Sequence, residues 1–546
     1  MLARARRSMA LPVCLGLATV GCGPEAPEAS TTDETDPPPE VVVLSDFKLT
    51  LRPIVMDDAD PFDGRPQVSV LITPPDGDTS YFDASNGALP SVGPLVAGTR
   101  IGVLVEDGGD PEVYEPALTL GYGHIVLEDD LDVGGVELEA EVFVPPFGDP
   151  GTLYEPDSSD QRFAAGVAML DDGTTYIFGG TPIGRIDGVA AASTATVLRL
   201  DPGADEPIEL ELKLPEVAQG ARTEAARAGL TATPFVRDGA PYILVAGGRY
   251  DWGSTGDGAA IAHVFDPSTE SFVEDVSLFD GASDHTAVVT SDGDILLDGG
   301  LMASGRPTTN TLLFRADDSR VEVITLADGS GNLYRSSARM GDDGVLVCGG
   351  VVAPLLNMSI SDWPTSDVCT HVTADGEARS VAPLPRPLVG HTMTPLPNGD
   401  ILVTGGTDAD LPRDGSPENA IDAAYVYDVG SNEWESVGDL VSRRMGHVAY
   451  SQPGGHVIVV GGVEAMGTLF NPETADFVGC AERFDVDERR FTELGCRDLG
   501  VGAFARVATA PDQAALVFPG FRRTDDGGFE SSSRIGYASL VGPPSP

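Results

Sequence analysis

Three histidines are the most regular candidates for chemistry in this chain. His285, His391 and His447 each stand 14 residues before the first glycine of a Gly-Gly pair, and Arg335 holds the same place before a fourth pair. Polar side chains recurring in register could form a ring facing a central channel, and neutral imidazoles there could ligate a metal. His124, His263, His371 and His456 show no metal-ligand spacing. The acidic stretch DDADPFDG (Asp57 to Gly64) gathers carboxylates, but its spacing is not D-x-D-x-D-G and no Glu stands at the twelfth place. A solvated turn is the expected reading. No cofactor is expected; calcium is the ion such acidic loops could hold.

Six cysteines come next. Cys14 and Cys22 lie in the N-terminal apolar stretch, which leaves Cys348, Cys369, Cys480 and Cys496. The chain between Cys480 and Cys496 reads as a hairpin turning near Asp487 and Glu488, which sets the two cysteines almost opposite each other. Opposite Cβ atoms in a ladder lie about 4.5–5.5 Å apart, close enough to bridge with modest adjustment. Cys348 ends one strand and Cys369 lies on its neighbour. Disulfides Cys348–Cys369 and Cys480–Cys496 are expected, as an even count in an exported chain suggests. A four-cysteine zinc site would need CxxC spacing, which is missing.

These residues sit on a repeated element. Apolar runs end in Gly-Gly at Gly179-Gly180, Gly247-Gly248, Gly299-Gly300, Gly349-Gly350, Gly405-Gly406 and Gly461-Gly462, with a degraded copy at Pro519-Gly520. The steps between second glycines run from 50 to 68 residues. Hairpin signals precede the pairs: Asp172-Gly173, Asp238-Gly239, Asp292-Gly293, Asp343-Gly344, Asn398-Gly399 and Gly454-Gly455. Such dipeptides accept positive φ at both centres of a two-residue type I′ turn. Two more strands follow each Gly-Gly. They carry aromatic pairs seven residues apart, Phe265 with Phe272, Tyr427 with Trp434, and Phe484 with Phe491. Each first aromatic is followed by an Asp, at Asp266, Asp428 and Asp485.

Four strands in about 50 residues, with Gly-Gly, turn and aromatic pair in register, resemble the kelch repeat, which folds as one blade of a β-propeller. The resemblance covers about Gly151 to Val541. It implies an all-β propeller of six or seven blades, seven favoured, with Gly151 to Pro156 able to supply the outer strand that the last copy lacks. It also implies a bland role for the recurring histidines, since kelch repeats often carry a polar residue there that bonds the neighbouring blade. The best-known enzymes on this fold resemble galactose oxidase and hold copper with two Tyr and two His; no such cluster can be matched here residue by residue.

Upstream, Val41 to about Pro146 alternates apolar and polar residues in short runs between turn clusters, the pattern of antiparallel strands. A small Ig-like β-sandwich over 41–148 fits, followed by the propeller over 149–546. The N-terminus has a basic start (Arg4, Arg6, Arg7), an apolar run from Met9 to Val20, and Gly21 before Cys22. That run is too short to span a bilayer but suits a signal peptide. The cluster resembles the lipobox of bacterial lipoproteins, with Thr19 where the family usually has Leu. The resemblance implies a signal peptide over 1–21 and lipid on Cys22; the alternative is ordinary secretion with cleavage elsewhere. Gly23 after the cysteine favours the outer membrane or cell surface. Residues 22–40, acidic and Pro-rich, read as an extended tether.

Composition excludes partners more sharply than it names them. Asp and Glu number 85 against 33 Lys and Arg, a formal charge of −52. A polyanion needs a basic face, so nucleic acid is excluded, and contact with membrane is expected through the lipid anchor only. The expected function is non-catalytic recognition of an envelope protein or glycan by a monomer. The loops Arg249 to Ala260, Val351 to Ser366 and Thr407 to Asn419 differ most between repeats and are expected to join the recognition surface. The alternative is a carbohydrate-active or galactose-oxidase-like enzyme on the same frame.

Overall fold

The computed structural model describes short strands between residues 40 and 154, most of 162–509, and short strands up to residue 538. Within 162–509 the description omits 182–192, 202–206, 220–221, 250–257, 280–281, 303–305, 327–331, 353–363, 409–417, 452–455, 467–475, 487 and 497–503. Residues 1–21, read above as a signal peptide, Cys22, nearly all of the stretch read as a tether and the acidic stretch Asp57 to Gly64 lie outside the described residues. Among the described residues every regular element is a strand. The chain divides into two compact units, Met1–Pro145 and Pro146–Pro546.

In the N-terminal unit, one sheet runs Ser80–Asp83, Gln67–Thr73, Arg100–Glu106, Thr119–Val126 and is antiparallel throughout. Val68, Val70 and Ile72 alternate into the interior along one strand, as a period of two requires. The other sheet runs Ala88–Leu89, Glu40–Leu44, Lys48–Pro53, Glu139–Val144. Here two pairings are parallel, Glu40–Leu44 with Ala88–Leu89 and Lys48–Pro53 with Glu139–Val144. Alternation in sequence implied antiparallel strands only. It reports which face a residue takes and is blind to the direction of a partner that arrives after a long connection.

The C-terminal unit is built from four-stranded antiparallel sheets. The first comprises Gly166–Met169, Thr175–Phe178, Thr196–Leu200 and Ile208–Lys213. The second comprises Ala228–Arg237, Ala240–Arg249, Ile261–Asp266 and Ser271–Ser277, and the third Thr286–Val289, Ile295–Asp298, Thr311–Phe314 and Val321–Ile324. The fourth holds Ser336–Arg339, Val345–Cys348, Cys369–Val372 and Ala378–Ser380; the fifth, Thr392–Pro395, Ile401–Thr404, Ala423–Asp428 and Glu433–Asp439. The sixth is Val448–Ser451, Val457–Val460, Cys480–Asp485 and Arg490–Cys496. The seventh takes Arg506–Thr509, Ala515–Phe518 and Ile535–Ala538 from the C-terminus, and its outer strand is Thr152–Tyr154, paired through Ile535 with Tyr154 and Gly536 with Thr152. The first strand of each sheet touches the first strand of the next, and that of the seventh touches that of the first.

The core lies between the sheets rather than within any one of them. Phe178, Val197 and Leu214 of the first sheet region pack with Leu230, Ile243 and Phe265 of the second. Leu244 and Val264 pack with Leu297 and Phe314 of the third, and the same pattern continues to the sixth. A lone sheet would leave both faces wet, so burying apolar area stabilises only the assembled array. The aromatic pairs serve this packing. Phe265 faces Phe272 across its own hairpin at 5.4 Å and meets Tyr176 and Phe178 of the preceding sheet at 5.0 and 5.3 Å. The Asp after each first aromatic ties the hairpin turn: Asp266 accepts from the Ser268 N–H, Asp428 from that of Ser431, and Asp485 from that of Glu488. Hydrogen bonds favour the carboxylate: the Ser268 hydroxyl first, with the Ser268 N–H, holds the Asp266 carboxyl below its ordinary pKa, and the Ser431 N–H does the same at Asp428.

The hairpins between first and second strands differ from the type I′ expectation. Among the described residues of these hairpins only the Asp238-Gly239 pair has positive φ at both positions, and Gly454-Gly455 lies outside the described residues. At Asp172-Gly173 the Gly173 N–H bonds the Leu170 carbonyl and the Leu170 N–H bonds the Thr174 carbonyl, which is a three-residue loop with glycine left-handed at its end. Asp292-Gly293 and Asn398-Gly399 repeat that pattern. The residue before the glycine acts through its side chain, since Asp172 accepts from the Thr174 N–H and Asn398 from the Asp400 N–H.

Cys348 and Cys369 stand opposite each other in the fourth sheet and form a disulfide. They enclose a short loop, with a sequence separation of 21. Substituting both with Ser is expected to cost about 3 kcal/mol through freedom regained by the unfolded chain. Denaturant unfolding with and without reductant checks this: because Cys480 is also disulfide-bonded, reduction should lower the stability of both proteins, and that of the wild type by about 3 kcal/mol more than that of the double variant.

Candidate functional site

The recurring polar residues stand one position ahead of each first strand, and their side chains are buried between adjacent sheets. His285 Nε2 lies 2.8 Å from the Thr231 hydroxyl of the preceding sheet. His447 Nε2 lies 3.0 and 2.9 Å from the Thr392 and Thr404 hydroxyls of its preceding sheet. Arg335 places its guanidinium 3.7 Å from Asp298 of the preceding sheet, and Asp298 in turn accepts from the Thr311 hydroxyl. His391 is buried to the same degree. The Gly-Gly pairs make room for this. At Gly405, with φ +58°, a Cβ would overlap the Arg444 carbonyl and come within 2.9 Å of His447 Cε1. Burial keeps the imidazoles neutral. It pushes His391 down to about 4, and His285 to about 4 with help from the Arg506 charge. Burial, then the charges of Arg444 and of His391, push His447 well below its ordinary value.

A second polar layer escaped the sequence reading. Arg444 is fully buried and donates to the Gly461 and Cys480 carbonyls at 3.0 Å each and to Glu482 at 2.5 Å. Glu482, also fully buried, accepts from the Val441 and Ser442 N–H groups. In the second sheet Arg227 takes the place of Arg444, donating to the Gly247 carbonyl, while His263 stands where Glu482 does. His263 contacts Asp275 through Nδ1 at 2.7 Å, yet burial first, then the charge of Arg227, hold it down to about 4. The available signal was an arginine two residues before the turn that opens three of the units, at Arg162, Arg227 and Arg444.

That turn residue forms a ring of its own. Ala164, Gly229, Asp284, Tyr334, Gly390, Gly446 and Phe504 all have φ between 53° and 70°. Backbone bonds link them from sheet to sheet: Gly229 N–H to Ala164, Asp284 N–H to Gly229, Gly446 N–H to Gly390, and Phe504 N–H to Gly446. Side chains at these positions lie over the preceding member, so a Cβ on Gly229 would meet Asp284 and one on Gly446 would meet the Phe504 ring. Next to this ring, the residues after each Gly-Gly are bridged to the chain that enters the first strand: Thr181 to Phe163, Arg249 to Ala228, Leu301 to Ser283, Val351 to Leu333, Thr407 to Val389 and Val463 to Met445. Arg249 is the charged member of that set and pairs with Asp284 at 2.9 Å, both largely buried. Burial raises the Tyr334 hydroxyl, the Asp284 charge raises it further, and Arg249 opposes.

Cys480 is disulfide-bonded, and Cys496 is the residue opposite it in register. Of the loops expected to recognise ligand, only the ends fall within the described residues.

An all-β unit of four-stranded antiparallel sheets whose first strands meet in a ring is compatible with a β-propeller. Among solved structures the chain is similar to that of YjhT, at 15% identity and a TM-score of 0.41, covering 62% of this chain and 98% of that one. No family model matches the chain, and no curated protein matches it.

Proposed function

We propose that residues 149–546 form a seven-bladed kelch-type propeller, closed by Thr152–Tyr154, which follows a small Ig-like sandwich. The whole is carried on a tether from a lipid on Cys22 at the outer membrane or cell surface. Its work is recognition of an envelope protein or glycan, without catalysis. One observation carries this reading: the bridges at Thr181, Arg249, Leu301, Val351, Thr407 and Val463 make the segments that differ most between repeats leave the frame from equivalent points around one ring. The frame consumes its own recurring polar groups, as His285 and His447 do, so selectivity falls to what does not repeat.

A glycan array and a pull-down from envelope extract test the reading. Saturable binding is expected, with loss when Arg249 to Ala260, Val351 to Ser366 and Thr407 to Asn419 are exchanged for Gly/Ser segments. Stoichiometric copper in the purified protein, with oxidation of sugar alcohols, would overturn it in favour of an enzyme.

A further inference from the structure

At the hairpin end of the sheets, away from the Gly-Gly pairs, arginines tie neighbouring sheets together. Arg199 reaches Glu270 of the second sheet, Arg237 the Ala316 carbonyl of the third, Arg315 the Ala374 carbonyl of the fourth, and Arg489 Glu435 of the fifth. Arg339 of the fourth sheet does not. Its Nε donates to the Gly341 carbonyl of its own hairpin at 2.8 Å, and its Nη2 stands 3.7 Å from the fully exposed Asp342. Neither terminal nitrogen has a hydrogen-bond partner among the described residues. The frame does not require a charge here. Arg339 ends its first strand, and the residues ending the first strands of the first, third, fifth, sixth and seventh sheets are Met169, Val289, Pro395, Ser451 and Thr509.

Arg339 lines a cleft of about 390 Å³ between the first hairpins of the fourth and fifth sheets, together with Asp342, Pro395, Leu396, Pro397 and Asn398. That volume falls in the range of small-ligand sites, about 300–1,000 Å³. Gly399 also lines it, and a Cβ there would meet nothing within 4 Å. The wall on the fifth sheet is apolar and stiff. Pro395 and Pro397 are exposed, their rings fix φ, and the Pro395 carbonyl accepts from the Ser451 hydroxyl of the sixth sheet. Asn398 turns both ends of its amide to Asp400. The cleft thus offers one guanidinium edge beside an apolar wall, and no aromatic residue lines it.

We propose that this cleft binds the C-terminal carboxylate of a peptide whose last side chain is apolar. The two terminal nitrogens of Arg339 meet the two carboxylate oxygens as a planar fork, and the proline wall takes the apolar side chain. A sugar acid would satisfy the guanidinium but leave most of its hydroxyls without partners and its ring without an aromatic face. Asp342 competes for the same guanidinium only weakly, being exposed and 3.7 Å away. Each second strand runs from its hairpin to its Gly-Gly pair, so the cleft lies at the opposite end of the sheets from the variable loops. It is a second site and does not rest on the recognition reading above.

Titration calorimetry on the purified full chain in about 0.15 M NaCl tests this with one tripeptide in two forms, acetyl-Ala-Ala-Leu as the free acid and as the C-terminal amide. The free acid should bind saturably and at least about tenfold more tightly than the amide. Arg339→Gln should abolish that difference while holding the melting temperature within about 1 °C, because the side chain is half exposed and joins no second sheet. Asp342→Asn should act in the opposite direction and tighten the free acid about two- to threefold, as the competing carboxylate is gone. Replacing the terminal Leu of the probe by Gly should weaken it about tenfold. No saturable binding of the free acid, equal affinity for acid and amide, or indifference to Arg339→Gln overturns the proposal, and so does tighter binding of glucuronate than of the peptide. Exchange of the three variable loops for Gly/Ser segments should leave peptide binding intact, and its loss on that exchange would overturn the cleft as the site. A blank glycan array and a pull-down indifferent to the loops, with Arg339-dependent peptide binding preserved, would uphold the cleft and remove only the recognition reading.

Discussion

Between pH 7 and pH 5.5 the C-terminal unit is expected to lose about 4 kcal/mol of stability, before most carboxylates titrate. The cause is histidine that cannot ionise in place. His263, His285 and His391 are almost fully buried, and burial holds each at about 4. Arg227 adds to the effect at His263, against the pull of Asp275, and Arg506 adds to it at His285. In the unfolded chain the same groups take up protons near 6.5. As pH falls below that value the unfolded state binds protons and the folded state does not. The stability is thus fully present above 6.5, declines with falling pH, and levels off near 4. One pH unit below 6.5 each histidine contributes about 1.4 kcal/mol to the loss, and His447, also depressed, steepens it. Denaturant midpoints at fixed salt from pH 7 to 5.5 measure this directly. His391→Gln should remove about 1.4 kcal/mol from the difference between the two ends. A flat profile across this range would mean that these imidazoles are solvated or stably protonated, and that the frame is not packed as described.

What the residues disclosed in advance was whatever repeats locally. Gly247-Gly248 or Gly405-Gly406 end a second strand, Phe265 and Phe272 face each other across one hairpin, and Cys348 and Cys369 sit on neighbouring strands. These are contacts between residues close in sequence, and the four-strand pattern makes them periodic. The missing outer strand of the last sheet was visible as a deficit, and Thr152–Tyr154 fills it. Two things were hidden. The turn at Asp172-Gly173 depends on which carbonyl the Leu170 N–H reaches, and a dipeptide does not encode that. The parallel pairing of Lys48–Pro53 with Glu139–Val144 joins segments separated by most of their unit.

Removing the carboxylate from the Arg444–Glu482 pair, as in Glu482→Ala, is expected to destabilise the unit by about 3–5 kcal/mol, since it strands a guanidinium in a dry site. Both side chains are fully buried, and burial already depresses the Arg444 pKa against the pull of Glu482. The sharper result concerns the double variant Arg444→Met/Glu482→Leu. A pair that acted through its charges alone could be exchanged for apolar side chains at little cost. This pair does more. Arg444 satisfies the Gly461 and Cys480 carbonyls, and Glu482 satisfies the Val441 and Ser442 N–H groups. Those four backbone groups belong to the Gly-Gly turn, the third strand and the connection into the next first strand. Each left without a partner costs about 1–3 kcal/mol, so the double variant should remain at least 3 kcal/mol less stable than the wild type. Chemical denaturation of the two variants beside the wild type decides it. Recovery of the double variant to wild-type stability would show that the charges, and not the backbone they cap, were the costly element. The second sheet supports the capping account. There Arg227 keeps its bond to the Gly247 carbonyl although His263 stands in the carboxylate position, and its pKa is drawn down to about 10 by burial. The arginine thus persists where its counter-ion does not, as expected if its first duty is to the carbonyl of the Gly-Gly turn.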